Sequence, residues 1–135
     1  MPTTTETDII TQLSKSPGAT RDAAIAADVT YMQVNASVAA AGSTLTDAAQ
    51  LLPGVTVVSA ADGTKGVKLP ATPVAGTVVI VKGTAAAVLK VWPDAAATIN
   101  AIGANGALSM TTGAMPSFFI ASSLTQWYTI PLVAS

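Results

Sequence analysis

The chain has 135 residues, neither Cys nor His, six basic and seven acidic side chains and a formal charge of −1. That composition excludes a disulfide-stapled scaffold and zinc–thiolate sites. It removes the commonest general base and metal ligand, and leaves no basic patch to neutralise phosphates, so no nucleic-acid partner is expected. Charged residues are only 10% of the chain, and half of it is hydrophobic, against a usual charged share of about 25%. Much of the apolar half is alanine, which buries little area, so the core is thin and the surface weakly charged. Both features suit packing against other protein. No run of about 18 apolar residues escapes Gly, Pro or charge, so no membrane span is expected. The polar, acidic start MPTTTETD is unlike a secretory signal.

In chain order, Thr5 and Asp8 have the spacing of a capping box, and Ile9, Ile10 and Leu13 share one helical face. Pro17-Gly18 ends this short helix. Alanines at 23, 24, 26 and 27 favour helix. From Val29 the pattern changes: Met32, Val34, Ala36 and Val38 alternate with Tyr31, Gln33, Asn35 and Ser37, a strand period. Residues 1–27 therefore read as an arm with some helix, and 29–40 as a strand available to a neighbour. The domain division expected is an assembly arm over 1–44 and a β domain over 45–135.

Beyond residue 45, Gly or Pro recurs every few residues between short β-branched runs. Strands are expected at Val55–Val58, Lys65–Leu69, Thr77–Val81, Ala87–Trp92, Thr98–Ile102, Leu108–Thr112, Ser117–Ala121 and Gln126–Leu132. Asp62-Gly63 and Pro93-Asp94 mark turns, and Asn105-Gly106 is the best short hairpin signal in the chain. About eight short strands at spacings near ten residues predict an all-β, β-sandwich or jelly-roll-like domain. No amphipathic helix of ten or more residues separates them, which argues against a parallel α/β fold.

No constellation of catalytic groups stands out. Asp62 and Asp94 occupy standard turn positions, and Asp47 suits a cap. No Gly-x-Ser-x-Gly elbow occurs, and Gly103-Ala104-Asn105-Gly106 lacks the Lys-Ser/Thr and helix of a phosphate loop. No catalytic, cofactor-binding or metal-ligating residue is expected, and no cofactor. Trp92, one of Phe118 and Phe119, and one of Trp127 and Tyr128 read as packing residues rather than ligand-stacking ones.

Five segments taken in order carry a resemblance. They are Gly66-Val67-Lys68-Leu69-Pro70-Ala71, the valine-rich Gly76–Val81, Leu89-Lys90-Val91-Trp92-Pro93, Thr98-Ile99-Asn100-Ala101 with Gly103-Ala104-Asn105, and Phe118–Ser123 leading to Gln126-Trp127-Tyr128. Over roughly residues 45–130 this order resembles a β module of small virion proteins of tailed bacteriophages, notably head decoration (cement) proteins. Lys82-Gly83 departs from it, standing where an Asn-containing turn is expected. The resemblance implies a non-enzymatic homo-oligomer, often a trimer, on the outer capsid surface, where it clamps neighbouring major capsid subunits. The alternative is a receptor- or glycan-binding tail fibre or spike module. Apolar residues outside the main β zone are the candidate protein-interface residues: Ile9, Ile10, Leu13, Tyr31, Met32 and Val34. An extended arm can add a strand to a neighbour's open sheet edge.

Overall fold

The computed structural model describes residues 32–111 and 116–130. The chain divides between Met32 and Gln33, and all the described strands lie in the second unit. The candidate helix around Ile9, Ile10 and Leu13 lies outside the described residues.

The described residues are all-β and form ten strands: β1 Val38–Ala39, β2 Ala49–Gln50, β3 Gly54–Ser59, β4 Gly66–Lys68, β5 Val78–Gly83, β6 Leu89–Trp92, β7 Thr98–Ile99, β8 Leu108–Met110, β9 Ser117–Ala121 and β10 Gln126–Ile130. Each of the eight runs expected from the sequence overlaps one of these strands, β3 and β5 reaching beyond the expected bounds. β1 lies at the end of the strand expected over 29–40, and β2 is a short addition. One sheet has six strands in the order β1-β3-β5-β9-β10-β7, and the other four in the order β2-β4-β6-β8. The arrangement is compatible with a β-sandwich.

Chain direction is where the architecture departs from a jelly roll. From β1 to β9 each strand lies in the opposite sheet from its predecessor. Two strands of one sheet are therefore linked through a strand of the other, and up to β6 that crossover brings them back parallel, whereas β6 and β8 pair antiparallel. β1 with β3, β3 with β5, β2 with β4 and β4 with β6 all pair in parallel, as does β7 with β10. Asn105-Gly106, expected to close a hairpin, instead lies on the path between β7 and β8, in different sheets. Asn105 takes φ 64°, its N–H donates to Ala97 O at 2.9 Å, and its Oδ1 accepts from Ala96 N at 2.7 Å. The dipeptide supplies the tight geometry, but not the pairing of its flanks. The hairpin that does form, β9–β10, turns through Ser122-Ser123-Leu124-Thr125 with no Gly, Asn, Asp or Pro. There Ser122 N donates to Gln126 O at 2.9 Å, and Ser123 Oγ accepts from Thr125 N at 3.3 Å.

The core comes from alternate residues of both sheets. Val58, Val79, Val81, Phe119, Ala121 and Trp127 from the six-stranded sheet join Val67, Leu89, Val91, Leu108 and Met110 from the four-stranded one in a single apolar cluster. Two threonines buried in the six-stranded sheet have asparagine partners. Asn35 Nδ2 donates to Thr56 Oγ1 at 3.1 Å and to Pro53 O at 3.0 Å. Asn100 Nδ2 donates to Thr129 Oγ1 at 2.9 Å, while its Oδ1 accepts from Thr129 N at 3.1 Å. Asn100 has φ 53°, a conformation asparagine tolerates better than most residues. It ends β7 while its amide continues the pairing along β10, as a backbone unit would.

The segments that carried the resemblance have structural roles here. Gly66 is glycine because the Lys90 carbonyl lies 2.6 Å, and Trp92 Nε1 2.9 Å, from where a Cβ would stand. Trp92 is diagonal to Gly66 across the β4–β6 register, and its ring fills the space a side chain would occupy. Val67 and Leu69, then Leu89 and Val91, point inward and are fully buried.

Candidate functional site

Asp62 and Asp94, read from the sequence as turn residues, and Asp47, read as a cap, are all in loops. Asp47 Oδ1 accepts from Thr44 Oγ1 at 2.6 Å, Thr44 N at 2.7 Å and Ser43 N at 3.1 Å. Asp62 Oδ1 accepts from Thr64 Oγ1 at 2.7 Å and from the N–H groups of Thr64 and Lys65, each at 2.9 Å. The Thr44 hydroxyl and N–H hold the Asp47 carboxyl below the ordinary carboxylate range. The Thr64 hydroxyl, then the Lys65 and Thr64 N–H groups, hold Asp62 well below it. Each donor set stabilises the ionised form, and each carboxylate tightens a loop between sheets. Asp94 accepts through its backbone carbonyl from Ala97 N at 3.0 Å. Among the described residues no three His, Cys, Asp or Glu side chains gather as metal ligands, and no helix is long and apolar enough to cross a membrane.

The outer faces of the two sheets contrast. On the four-stranded sheet Gln50, Lys68 and Trp92 form one row, and Gly66, Lys90 and Ser109 the next. Gln50 Nε2 donates to Leu69 O at 2.7 Å, and Lys90 Nζ to Ser109 Oγ at 2.7 Å. This face is polar and cationic. On the six-stranded sheet the central outward side chains are apolar, with Ser59, Lys82, Thr98 and Gln126 outward around them. One row runs Val34, Val55, Ile80, Phe118 and Ile130 across five adjacent segments. The next runs Val78, Ile120 and Tyr128, and Val57 sits opposite Lys82 beyond the first row. The first two rows carry no charge.

The exposed large apolar residues of Gln33–Ser135 follow the same side. Val34, Phe118, Tyr128 and Ile130 lie on this face. Leu52, Val74 and Leu124 lie in loops at the end of the sheet where β3, β5 and β10 begin. None is on a strand of the four-stranded sheet.

Of the interface residues expected from the sequence, Ile9, Ile10, Leu13 and Tyr31 lie outside the described residues. Met32 is exposed, and Val34 is 72% exposed at the β1 side of the apolar row, bridged to Val55. Residues 34–41, placed by sequence in the arm, pair with the β domain. Val34 bridges Val55, Val38 and Ala39 pair with β3, and Ala41 bridges Gly66. Sequence reasoning missed Val55, Ile80, Phe118 and Ile130. The signal was present in Val55–Val58, Val78–Val81 and Phe118–Ile120, which are apolar at every position, or nearly so. Such runs normally mark strands covered on both faces, whereas two sheets cover only one face of each. Of the aromatics, Trp127 and Phe119 are fully buried, and Trp92 covers Gly66.

No family model matches the chain, and no curated protein matches it significantly.

Proposed function

We propose that this chain is a non-enzymatic structural protein of a tailed-phage virion. It binds the outside of the capsid as a homo-oligomer and stabilises the shell by cross-linking neighbouring major capsid subunits. The observation that supports this most is the pair of uncharged apolar rows on the outer face of the six-stranded sheet, extended by Leu52, Val74 and Leu124 at one end. A large apolar surface on a protein with few charges marks a protein-binding site. The ordered segments resembling decoration proteins supply the setting. Within the reading, residues 1–44 act as an assembly arm with a short helix near its start. The β domain is the sandwich body, and many modest contacts per oligomer add up by avidity.

Co-sedimentation with capsids made without this protein tests the reading. Saturable binding at a fixed ratio to the major capsid protein, with a gain in resistance of the heads to heat, supports it. Protein that stays in the supernatant at every concentration refutes it.

The glycan-binding alternative needs an accessible aromatic platform. Trp127 is fully buried and cannot offer its ring, so that reading rests on Trp92 and Tyr128.

A further inference from the structure

We propose that the outer face of the six-stranded sheet is the self-association surface, packed in the assembled protein against the same face of other copies of this chain. The inference deepens the oligomer part of the proposed function by naming the surface, and does not depend on capsid binding.

The composition of the face favours a copy of this chain as its occupant. The outward residues Val55, Val78, Ile80, Phe118 and Ile120 are as apolar as the inward Val58, Val79, Val81 and Phe119 of the same strands. A surface that resembles a core cut in half is the mark of permanent homo-oligomers, whereas surfaces for exchangeable partners keep the ordinary polar share. The two central rows carry no charge, and Lys82 stands at the border beyond them, so identical faces meet along these rows without like-charge repulsion.

The size fits as well. Five segments about 4.8 Å apart and two rows about 7 Å apart span roughly 24 by 14 Å, or about 340 Å² in projection. The relief of the side chains adds to this, and the bordering tips of Leu52, Val74 and Leu124 extend it toward the roughly 800 Å² per partner of a standard interface. Two copies face to face, or three turned inward around an axis, both bury the face on every copy. The four-stranded sheet, with Lys68 and Lys90 outward, then stays on the outside of the oligomer.

The chain has no cysteine, so a single introduced thiol can report on the contact without disturbing a native bridge. The full-length protein is purified and its mass measured in solution. Phe118→Cys and Ser109→Cys place one thiol on each outer face, and both are oxidised mildly. The expected result is a dimer or trimer, with Phe118→Cys converting to a covalent pair and Ser109→Cys staying uncross-linked. Ile80→Lys, at the middle of the face, is expected to weaken association at least about 30-fold, the size of a hot-spot loss. Three results would overturn the proposal: a monomer at all concentrations, equal cross-linking from both faces, or association unchanged by Ile80→Lys. Since the measurement uses purified protein, a failure of capsid binding leaves it untouched, and its own failure leaves capsid binding open.

Discussion

Phe118 and Phe119 are neighbours in β9 and face opposite ways, so truncating each in turn separates folding from assembly. Phe119 is fully buried and sits between Val79 and Thr129 in register. Phe119→Ala removes its ring from a packed core, a change that costs about 3–5 kcal/mol. For a body of this size that lowers Tm by roughly 15–30 °C. Phe118 stands between Ile80 and Ile130 and is 38% exposed. Taking about 200 Å² for the residue, some 75 Å² of it still meets water, and covering that area in an oligomer contributes about 2 kcal/mol per copy. Phe118→Ala is therefore expected to weaken association about 25-fold. The fold itself loses only about 1 kcal/mol of cross-strand packing in the separated protein. Denaturant melts at a dilution where the parent is dissociated give the first quantity, and sedimentation equilibrium the second. If Phe118→Ala destabilised the dilute protein as much as Phe119→Ala, the assignment of the two faces would be wrong. If it left association unchanged, the outer face would not be the contact.

Gly66→Ala is expected to destabilise by about 1–3 kcal/mol, because the new methyl meets the Lys90 carbonyl and the Trp92 ring between strands that cannot separate freely. Denaturant melts measure it, and a neutral result would show that β4 and β6 have slack. Asn100→Ala is expected to cost about 2 kcal/mol, from two lost hydrogen bonds to Thr129 and a positive φ that alanine tolerates poorly. Asn100→Asp, which keeps the acceptor for the Thr129 N–H, should lose less. The depressed carboxyls of Asp47 and Asp62 stabilise the folded state in their ionised form. Their contribution is complete above the ordinary carboxylate range near pH 4 and is lost as pH falls through their lower folded values. Stability should thus be flat between pH 7 and 5 as far as these groups decide it, and Asp62→Asn should reduce the acid-side loss seen below pH 4. Added oligosaccharides should leave tryptophan fluorescence unchanged, since Trp127 is buried and Trp92 lies over Gly66. A saturable quench would favour the glycan-binding reading.

Strand positions were legible in the residues because β-branched runs bounded by Gly, Pro, Asn and Asp have one local solution. Inward and outward alternation was legible in Leu89-Lys90-Val91-Trp92, where polar and apolar residues differ. It was hidden in Val55–Val58 and Phe118–Ile120, whose two faces are both apolar, so no local pattern says which side meets the core. Partner strands were hidden too. A turn dipeptide fixes a few dihedral angles, but whether the chain then returns along its own strand or crosses to the other sheet is settled by packing far away in sequence. Asn105-Gly106 crosses, while the unmarked Ser122–Thr125 turns back. Sequence alone thus determined an all-β body beyond residue 45 with its strands and tight turns, through backbone preferences that act over a few residues. Only the tertiary structure decided the mostly parallel pairing, the asparagine partners of the buried threonines and the apolar outer face. Each of these depends on which distant segments share the limited space on either side of one core.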